Sequence, residues 1–275
     1  LGLTQSGISH AITELEDLLG ARLLVRARTG CTPTDAGHRV LAGARLVLRT
    51  AAGLAAAAEG DARLQGHVRI ACFRSVATHL LPPALDLLAT RHPELRVDVD
   101  DGYEERAAVE AAVREGRAEL AVAQLPVADG LFQRAFAADA YVFVAPAALR
   151  CKGGWEQFGA LPYIQLDCSG AYAVLDACRA AGFAARPART LATDSGVLAL
   201  VRRGLGYSIL PRLAVHPLPD GVQVLDLPIP AARKFAIVGL PDVVRGPAVQ
   251  AVLAALADKA LLRRTDPVRH GIALA

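Results

Sequence analysis

From Gly66 to about Leu262 the chain alternates between short apolar segments and segments with helical periodicity. Within this stretch, Leu95 to Asp100 alternates strictly between apolar and polar residues, which is typical of a half-buried strand. Strands separated by helices form parallel sheets with right-handed crossover connections. The region therefore predicts an α/β fold, in which a ligand would bind at the carboxyl ends of the strands, beside helix N-termini.

Polar side chains follow several of the predicted strands or open the helices after them. In chain order, the candidates for ligand binding are Arg74, Ser75, Thr78, Tyr103, Gln124, Ser169 and Ser195. Two of them have a second interpretation, because Ser169 and Ser195 could act only as helix N-caps. Arg74 would favour an anionic ligand, although arginines at loop tips are mostly solvated.

The same region contains two longer helical patterns, and near its end the chain is expected to come back to the part of the fold where it began. One helix is predicted from Thr78 to Arg91, with two prolines in its first turns, and a closing helix from about Pro247 to Leu262. The chain is expected to return to the first half of the region near Phe235 to Leu240. Two chain crossings would make a hinge between two lobes. Lobe I would comprise about 66–145 and 235–265, and lobe II about 146–234.

The first 20 residues carry the clearest amphipathic pattern. Apolar residues from Ile8 to Leu19 recur at helical spacing, Thr4 can cap the helix, and Gly20 can end it. The opposite face carries small polar side chains, namely Gln5, Ser6, Ser9, His10 and Thr13. These side chains could enter a DNA major groove and bond to bases or phosphates. An ordinary amphipathic surface helix would show the same periodicity.

A short basic hairpin is predicted after this helix, between Ala21 and Pro33. Its arginines include Arg26 and Arg28, which would be placed to contact the DNA backbone or the minor groove, as the wing beside a helix-turn-helix does. The alternative interpretation is an ordinary solvent-exposed turn, in which the same arginines would contact only water.

The segment from Thr4 to Arg26 closely resembles the winged helix-turn-helix signature of LysR-type transcriptional regulators, and Pro33 to Gly37 resembles the junction between the wing and the linker of that family. The later order of elements fits too, so the resemblance covers nearly the whole chain. The chain departs from the family pattern at Leu24, where an aromatic residue is usual, and at Gly7, where alanine is commoner. The first helix of the family and most of its second have no counterpart in this sequence, so the resemblance implies an N-terminally incomplete member.

The resemblance implies a partial winged helix-turn-helix over 1–37, a long linker helix over 38–63 and a periplasmic-binding-protein-like effector domain over 66–275. It implies a DNA-binding transcriptional regulator whose promoter binding responds to a small-molecule effector in the cleft between the two lobes. The implied partners are double-stranded DNA, the effector and further copies of the chain in a homodimer or homotetramer. No cofactor and no enzymatic activity are implied.

A long helix without proline is predicted from Asp35 to about Ala62, with Thr34 as its N-cap. Small and apolar residues recur at a and d heptad spacing along it, namely Leu41, Ala44, Leu48, Ala51, Ala55, Ala58 and Ala62. Pairing with a second copy would bury this seam, and two copies suit DNA readers that bind two half-sites. Packing of the helix on its own domain is the alternative.

The composition of the chain limits where the protein can be located in the cell and which kinds of site it can contain. No run of about 20 uncharged apolar residues suggests a membrane span, and no signal peptide opens the sequence. Five cysteines without a CxxC pair argue against a disulfide framework and a structural zinc site, so we expect a cytoplasmic protein. A net charge of +3 permits nucleic-acid binding without proving it. Because the chain contains no methionine, we expect a further segment upstream.

Evidence for catalysis is weak. The sequence has no Gly-x-Ser-x-Gly, HExxH or P-loop motif. Asp98 and Asp100 share a strand face and could form a carboxylate pair or a solvated edge. Some regulators of the LysR family use a disulfide switch in lobe II, but Cys168 and Cys178 would lie on one helix and could not meet without unfolding it. The alternative function is a stand-alone small-molecule-binding protein or α/β enzyme, with residues 1–63 as a helical dimerisation arm.

Overall fold

The computed structural model describes residues 4–27, 30–58, 64–150, 154–159 and 161–274. The N-terminal part contains α1 (Gln5–Leu19), β1 (Leu24–Ala27), β2 (Gly30–Pro33) and α2 (Asp35–Ala58). The predicted helix, hairpin and long helix are therefore all present. Arg28 and Ala62 lie outside the described residues, as do the side chains of Arg26, Ala55 and Ala58.

The ends of α1 are capped as predicted. The Thr4 hydroxyl accepts a hydrogen bond from the Gly7 N–H at 3.2 Å. Gly20 ends the helix with φ of 62°, in the left-handed region that glycine adopts without a steric penalty. The helix is joined to the hairpin through Glu16, whose Oε1 accepts the N–H groups of Leu23 at 2.6 Å and Leu24 at 3.1 Å. This carboxylate fixes the angle between the helix and the hairpin.

The start of α2 packs tightly on the segment that leads into the hairpin. Thr34 donates its N–H to the Leu23 carbonyl at 2.9 Å and its hydroxyl to the Arg22 carbonyl at 2.7 Å. The same hydroxyl accepts the Gly37 N–H at 3.0 Å, as an N-cap does. Gly37 is buried directly against the Leu23 carbonyl group. This corner sets the direction in which α2 leaves the N-terminal part.

The remaining chain forms two lobes around one long strand, β6 (Phe132–Pro146). The elements before β6 are β3 (Gly66–Phe73), α3 (Arg74–His79), α4 (Pro82–Arg91), β4 (Leu95–Tyr103), α5 (Arg106–Arg114) and β5 (Leu120–Gln124). Those after it are β7 (Tyr163–Leu166), α6 (Ser169–Ala180), β8 (Pro187–Leu191), α7 (Asp194–Arg202), β9 (Tyr207–Pro211), a 3₁₀ helix (Arg212–Val215), β10 (Val222–Asp226), β11 (Ala232–Gly239), α8 (Pro241–Val244), α9 (Pro247–Leu256), α10 (Lys259–Leu262), α11 (Asp266–Arg269) and β12 (Ala273–Leu274).

The strand β6 passes from one sheet to the other. Its first part pairs with β11 up to Ala140, and its second part pairs with β9 and β10 from Tyr141 onward. We define lobe I by the sheet β4-β3-β5-β11-β6 and lobe II by the sheet β6-β9-β7-β8 with β10. The chain crosses back where the Tyr141 N–H donates to the Ala231 carbonyl at 2.8 Å. Both crossings lie a few residues before the positions expected from the sequence.

Three expectations about the elements are wrong in detail. The predicted parallel sheet is mixed, because β6 and β11 run antiparallel to their neighbours. The helix predicted over 78–91 is two helices, because α3 ends at His79 and α4 begins at Pro82, and a proline has no N–H with which to continue the preceding helix. The helix predicted over 247–262 breaks after Leu256, where the Asp258 carboxylate caps the Ala260 N–H at 2.8 Å.

Each lobe has its own hydrophobic core. The core of lobe I is aliphatic and lies between its sheet and the helices that cover it, with Val68, Ile70 and Leu120 fully buried. One face of the sheet in lobe II is covered by aromatic rings, among them Phe158 and Tyr207, which stack at 3.9 Å between centroids. Separate cores allow the lobes to move as units about their crossing strands. Among the described helices, none has the length and apolarity that a membrane crossing requires.

The corner at Gly37 yields a stability prediction. A Cβ atom at Gly37 would lie 2.0 Å from the Leu23 carbonyl oxygen, which is backbone and cannot rotate away. We expect Gly37→Ala to lower the free energy of unfolding of the N-terminal part by about 1–3 kcal/mol, measured by thermal unfolding followed by circular dichroism. Gly43→Ala is the matched control, because a Cβ there meets nothing within 4 Å and should gain roughly 1 kcal/mol of helix propensity. Equal effects of the two substitutions would contradict the packing described for this corner.

Candidate functional site

A cavity of about 320 Å³ lies between the lobes, at the carboxyl ends of the strands. Four of the residues predicted from the sequence line it, namely Arg74, Ser75, Gln124 and Ser169. The first three belong to lobe I, and Ser169 opens α6 in lobe II. The rule that places ligands beside strand ends and helix N-termini therefore located both walls of the cavity.

Three other predicted residues do not line this cavity. Thr78 is exposed in the last turn of α3. The Tyr103 hydroxyl accepts a hydrogen bond from Arg117 Nη1 at 2.7 Å. Ser195 lies in the first turn of α7, where its N–H donates to the Asp194 carboxylate at 2.7 Å.

The N-cap interpretation of the two serines is also wrong. The N-cap of α7 is Thr193, whose hydroxyl accepts the Gly196 N–H at 3.2 Å, and Ser195 follows inside the helix. The residue at the N-cap position of α6 is Cys168, whose side chain makes no capping hydrogen bond. Ser169 is therefore the first helical residue, and its N–H belongs to the set that a helix cannot satisfy internally.

The floor of the cavity holds a buried ion pair. Arg233 donates from Nε to Asp139 Oδ1 at 2.6 Å and from Nη2 to Asp139 Oδ2 at 3.2 Å. Nη2 also donates to the Ser75 hydroxyl at 2.9 Å, and Asp139 Oδ2 also accepts the Leu213 N–H at 2.9 Å. Only 7% of Arg233 and 3% of Asp139 is exposed. The pair thus connects the floor of the cavity to the 3₁₀ helix that follows β9.

Sequence reasoning missed this pair. A signal exists in β11, where Arg233 is in phase with Phe235 and Ile237, two buried apolar residues. A charged residue at a buried strand position needs a partner of opposite charge. The partner, Asp139, lies 94 positions away in the chain, so its identity depends on the pairing of β6 with β11.

The rim of the cavity carries charges of both signs. Arg74 Nη1 lies 3.5 Å from Glu104 Oε1, and both side chains are about half exposed. Burial raises the pKa of Glu104, and the negative charges of Asp194 and Glu105 raise it further, while Arg74 opposes the shift. Arg74 is therefore not an isolated cation, and a molecule in the cavity would meet acidic as well as basic groups.

Among the described residues of lobe II, the thiols of Cys168 and Cys178 are free and weakly acidic. Cys168 and Cys178 form no disulfide, and burial is the main cause that raises the pKa of each thiol. Ten residues of helix span about 15 Å, so the two sulfur atoms cannot meet while α6 is intact. Within the part of the chain that the structure describes, no group of three or more His, Cys, Asp or Glu side chains could hold a metal ion.

Asp98 and Asp100 on β4 do not form a carboxylate pair. Asp98 Oδ2 lies 2.7 Å from His67 Nε2 and 2.9 Å from Arg96 Nη2. The hydrogen bond from Arg96 is the largest of the causes that lower the pKa of Asp98. Asp100 instead accepts the Gly102 N–H at 3.3 Å. These contacts leave no catalytic arrangement at this strand.

The polar face of α1 is open to solvent. Gln5, Ser6, His10 and Thr13 are exposed, and Ser9 is half-buried. No residue of α1 is buried, and on the opposite, apolar face Leu18 is 82% exposed. The helix thus presents its predicted polar face to solvent, and the described residues cover its apolar face only in part.

Two family models match the chain. One, described as LysR substrate binding domain, matches residues 61–261. The other, described as Bacterial regulatory helix-turn-helix protein, lysR family, matches residues 1–38. Together they cover the N-terminal helix and hairpin, all of lobe II and lobe I up to residue 261.

Curated relatives cover most of the chain. It is 35% identical over 274 residues to a probable HTH-type transcriptional regulator LrrA from Synechococcus elongatus, covering 97% of this chain and 90% of the relative. It is 31% identical over 227 residues to a probable hydrogen peroxide-inducible genes activator from Streptomyces viridosporus, covering 78% of this chain and 72% of the relative.

Solved structures share the fold. A full-length OxyR variant from Pseudomonas aeruginosa superposes with a TM-score of 0.72 at 21% identity, covering 97% of this chain and 88% of that one. CbnR, described as a LysR family transcriptional regulator, superposes with a TM-score of 0.58 at 20% identity, covering 92% of this chain and 91% of that one.

The ion pair in the cavity floor can be tested by removing one partner. We expect Arg233→Met to lower the free energy of unfolding by about 3–5 kcal/mol, because the Asp139 carboxylate would stay buried without its cation. The control is Arg245→Met, which breaks a highly exposed pair with Asp242 and should change stability by less than about 1 kcal/mol. Denaturant unfolding measures both effects, and a loss for Arg233→Met as small as that of the control would refute the role of the pair.

The raised pKa of Glu104 predicts a pH-dependent gain in stability for Glu104→Gln. A carboxyl whose pKa is raised by folding stabilises the protein fully below its unfolded pKa, and this contribution is lost as the pH rises through its folded pKa. The variant should therefore melt at a higher temperature than the wild type at pH 7, and the difference should vanish below about pH 4.

Asp98→Asn is the control of opposite sign, because the pKa of Asp98 is lowered. Its contribution to stability is present above its unfolded pKa and is lost as the pH falls through its folded pKa. At pH 7 the variant should melt at a lower temperature than the wild type. The two melting temperatures should converge as the pH falls below about 4. Thermal unfolding between about pH 2 and pH 8 checks both variants, because both differences are lost only in acid. A change of the same sign for both variants at pH 7 would contradict the charge arrangement at the cavity rim.

Proposed function

Because the chain belongs to the LysR family and is a transcriptional regulator with an effector-binding domain, we propose that a small molecule in the cavity between its lobes controls DNA binding by its N-terminal part. The observation that carries the proposal is the cavity itself, whose walls come from both lobes. A molecule that contacts both walls has different affinities for different lobe arrangements, and it therefore shifts the population between them.

The proposed effector is small and polar. A volume of about 320 Å³ is near the lower end for ligand pockets. Arg74, Ser75, Gln124 and Ser169 are the proposed contacts, while Thr78, Tyr103 and Ser195 drop out because they do not line the cavity. Arg74 supports an anionic group on the effector, placed where Glu104 and Asp194 do not repel it.

The proposed DNA-reading surface is the polar face of α1. Its exposed side chains are small enough to enter a major groove, and they belong to Gln5, Ser6, His10 and Thr13, with Ser9 beside them. In this proposal, Arg26 and Arg28 of the hairpin region after α1 would contact the phosphate backbone of the DNA. The family match to residues 1–38 supports this assignment.

The proposed oligomer forms through α2. Leu48 is 70% exposed and Leu41 39% exposed, and both lie on the predicted heptad seam with Ala44 and Ala51, which are also exposed. A second copy would bury this seam, and two reading helices would then face two half-sites, in a homodimer or in a homotetramer built from it. Arg45 Nη1 donates to the Glu115 carbonyl at 3.2 Å and so connects α2 to lobe I.

The proposed division into functional parts follows the sequence: DNA binding over 1–37, dimerisation over 38–63 and effector binding over 66–275. Since the target is DNA, we propose a cytoplasmic location. The thiols of Cys168 and Cys178 do not support a peroxide response of the kind that some relatives carry in their names, because the thiolate is the reactive form and the pKa of each thiol is raised.

DNA binding is tested by selecting duplexes from a random library with the full chain and titrating the best one by fluorescence anisotropy. We expect sequence-preferring binding that weakens as the salt concentration rises, because phosphate contacts release counterions. Ser6→Glu should weaken binding at least tenfold by placing a negative charge against the duplex. Thr90→Glu adds the same charge on α4 in lobe I and should leave binding unchanged. Binding without sequence preference or salt dependence would overturn the proposal.

A further inference from the structure

One side chain of lobe I makes a direct contact with lobe II beside the cavity. Glu105 immediately precedes α5 at its N-cap position, yet its side chain does not cap α5. It reaches Ser169, 64 positions along the chain at the start of α6. The Ser169 N–H donates to Glu105 Oε1 at 2.9 Å, and the Ser169 hydroxyl donates to Glu105 Oε2. Both carboxylate oxygens are therefore engaged by the other lobe.

The contact supplies what α6 lacks within its own lobe. The first N–H groups of a helix have no partner inside the helix, and the helix dipole places partial positive charge there. Cys168 stands at the N-cap position of α6 and makes no capping hydrogen bond. In the same lobe, α7 is capped by the hydroxyl of its own N-cap residue, Thr193. Capping of α6 thus depends on the position of lobe I, and capping of α7 does not.

The first turn of α6 also lies close to lobe I and to the crossing between the lobes. A Cβ atom at Gly170 would be 3.2 Å from the Tyr141 hydroxyl and 3.6 Å from Gln124 Oε1. Gln124 ends β5 in lobe I, and Tyr141 lies at the crossing between the lobes. Glycine at this position permits the approach, because a side chain would meet both groups. The contact with Glu105 therefore lies where the lobes meet, at the edge of the cavity.

We propose that Glu105 and Ser169 form a latch that holds the two lobes in the arrangement seen here. Opening of the cleft breaks both hydrogen bonds and leaves the start of α6 without its cap. The latch therefore favours the closed arrangement before any ligand binds. The latch itself requires no effector. Its consequence for regulation is a bias on effector entry and on the response of the DNA-binding part, and this consequence rests on the function proposed above.

The latch is tested on the full chain with two measurements. Hydrogen–deuterium exchange reports protection in the first turn of α6. Double electron–electron resonance reports the distance between two spin labels, one in each lobe. The labels are attached to unnatural amino acids that replace Thr90 on α4 and Asp176 on α6. We expect Glu105→Ala to speed exchange about fivefold, on the scale of a lost N-cap, and to shift the distances between the labels. Glu105→Asp should behave like Glu105→Ala, because it keeps the charge but is one methylene shorter.

A second substitution separates a latch between lobes from a local helix cap. Cys168→Ser places a preferred N-cap residue on α6 itself. In the Glu105→Ala background it should restore slow exchange in α6 and leave the distances between the lobes shifted. Glu156→Ala, which removes an exposed carboxylate in lobe II, should change neither measurement.

Two results would overturn the latch. One is an unchanged distance distribution in Glu105→Ala. The other is recovery of both measurements on adding Cys168→Ser, which would show that Glu105 acts only as a local cap. Neither measurement uses DNA or an effector, so failure of the latch and failure of the proposed function can be told apart.

Discussion

The buried pair of Arg233 and Asp139 is the interaction on which the two-lobed structure depends. Asp139 lies on β6 just before the chain enters lobe II, Arg233 lies on β11 just after it returns, and the two residues are directly paired across the sheet. Burying two charges is unfavourable unless they are paired and their remaining hydrogen-bonding groups are satisfied. Here Ser75 and the Leu213 N–H supply further partners. Both crossing strands, the start of α3 and the 3₁₀ helix thus meet at one point.

This constraint explains how a cavity and a hinge coexist. The lobes have separate cores, so each is stable as a unit, and the paired charges hold the crossing strands at a fixed place. The lobes can still rotate about the crossing strands, and the contact between Glu105 and Ser169 joins them at the edge of the cavity. A ligand in the cavity would therefore compete or cooperate with interactions that already bias the angle between the lobes.

Local sequence signals were sufficient for several parts of this structure. The capping of α1 by Thr4 and Gly20, the hairpin and four of the seven cavity candidates follow from periodicity and from the rule for strand ends. The strand β6 escaped prediction because it serves two sheets, so its buried face changes along its length. The break at Pro82 was visible in the sequence, but proline is tolerated in a first turn, and the pattern could not show that a second helix begins there.

By itself, the sequence determined the class of fold, the N-terminal amphipathic helix and the family, because each depends on residues that are close together in the chain. Only the tertiary structure decided which charges lie in the cavity and which side chain caps α6. Arg233 and Asp139 are 94 positions apart, and Glu105 and Ser169 are 64 positions apart. Periodicity describes one element at a time, whereas these contacts depend on how strands pair across a sheet and how the lobes meet, and both follow from packing of the whole chain.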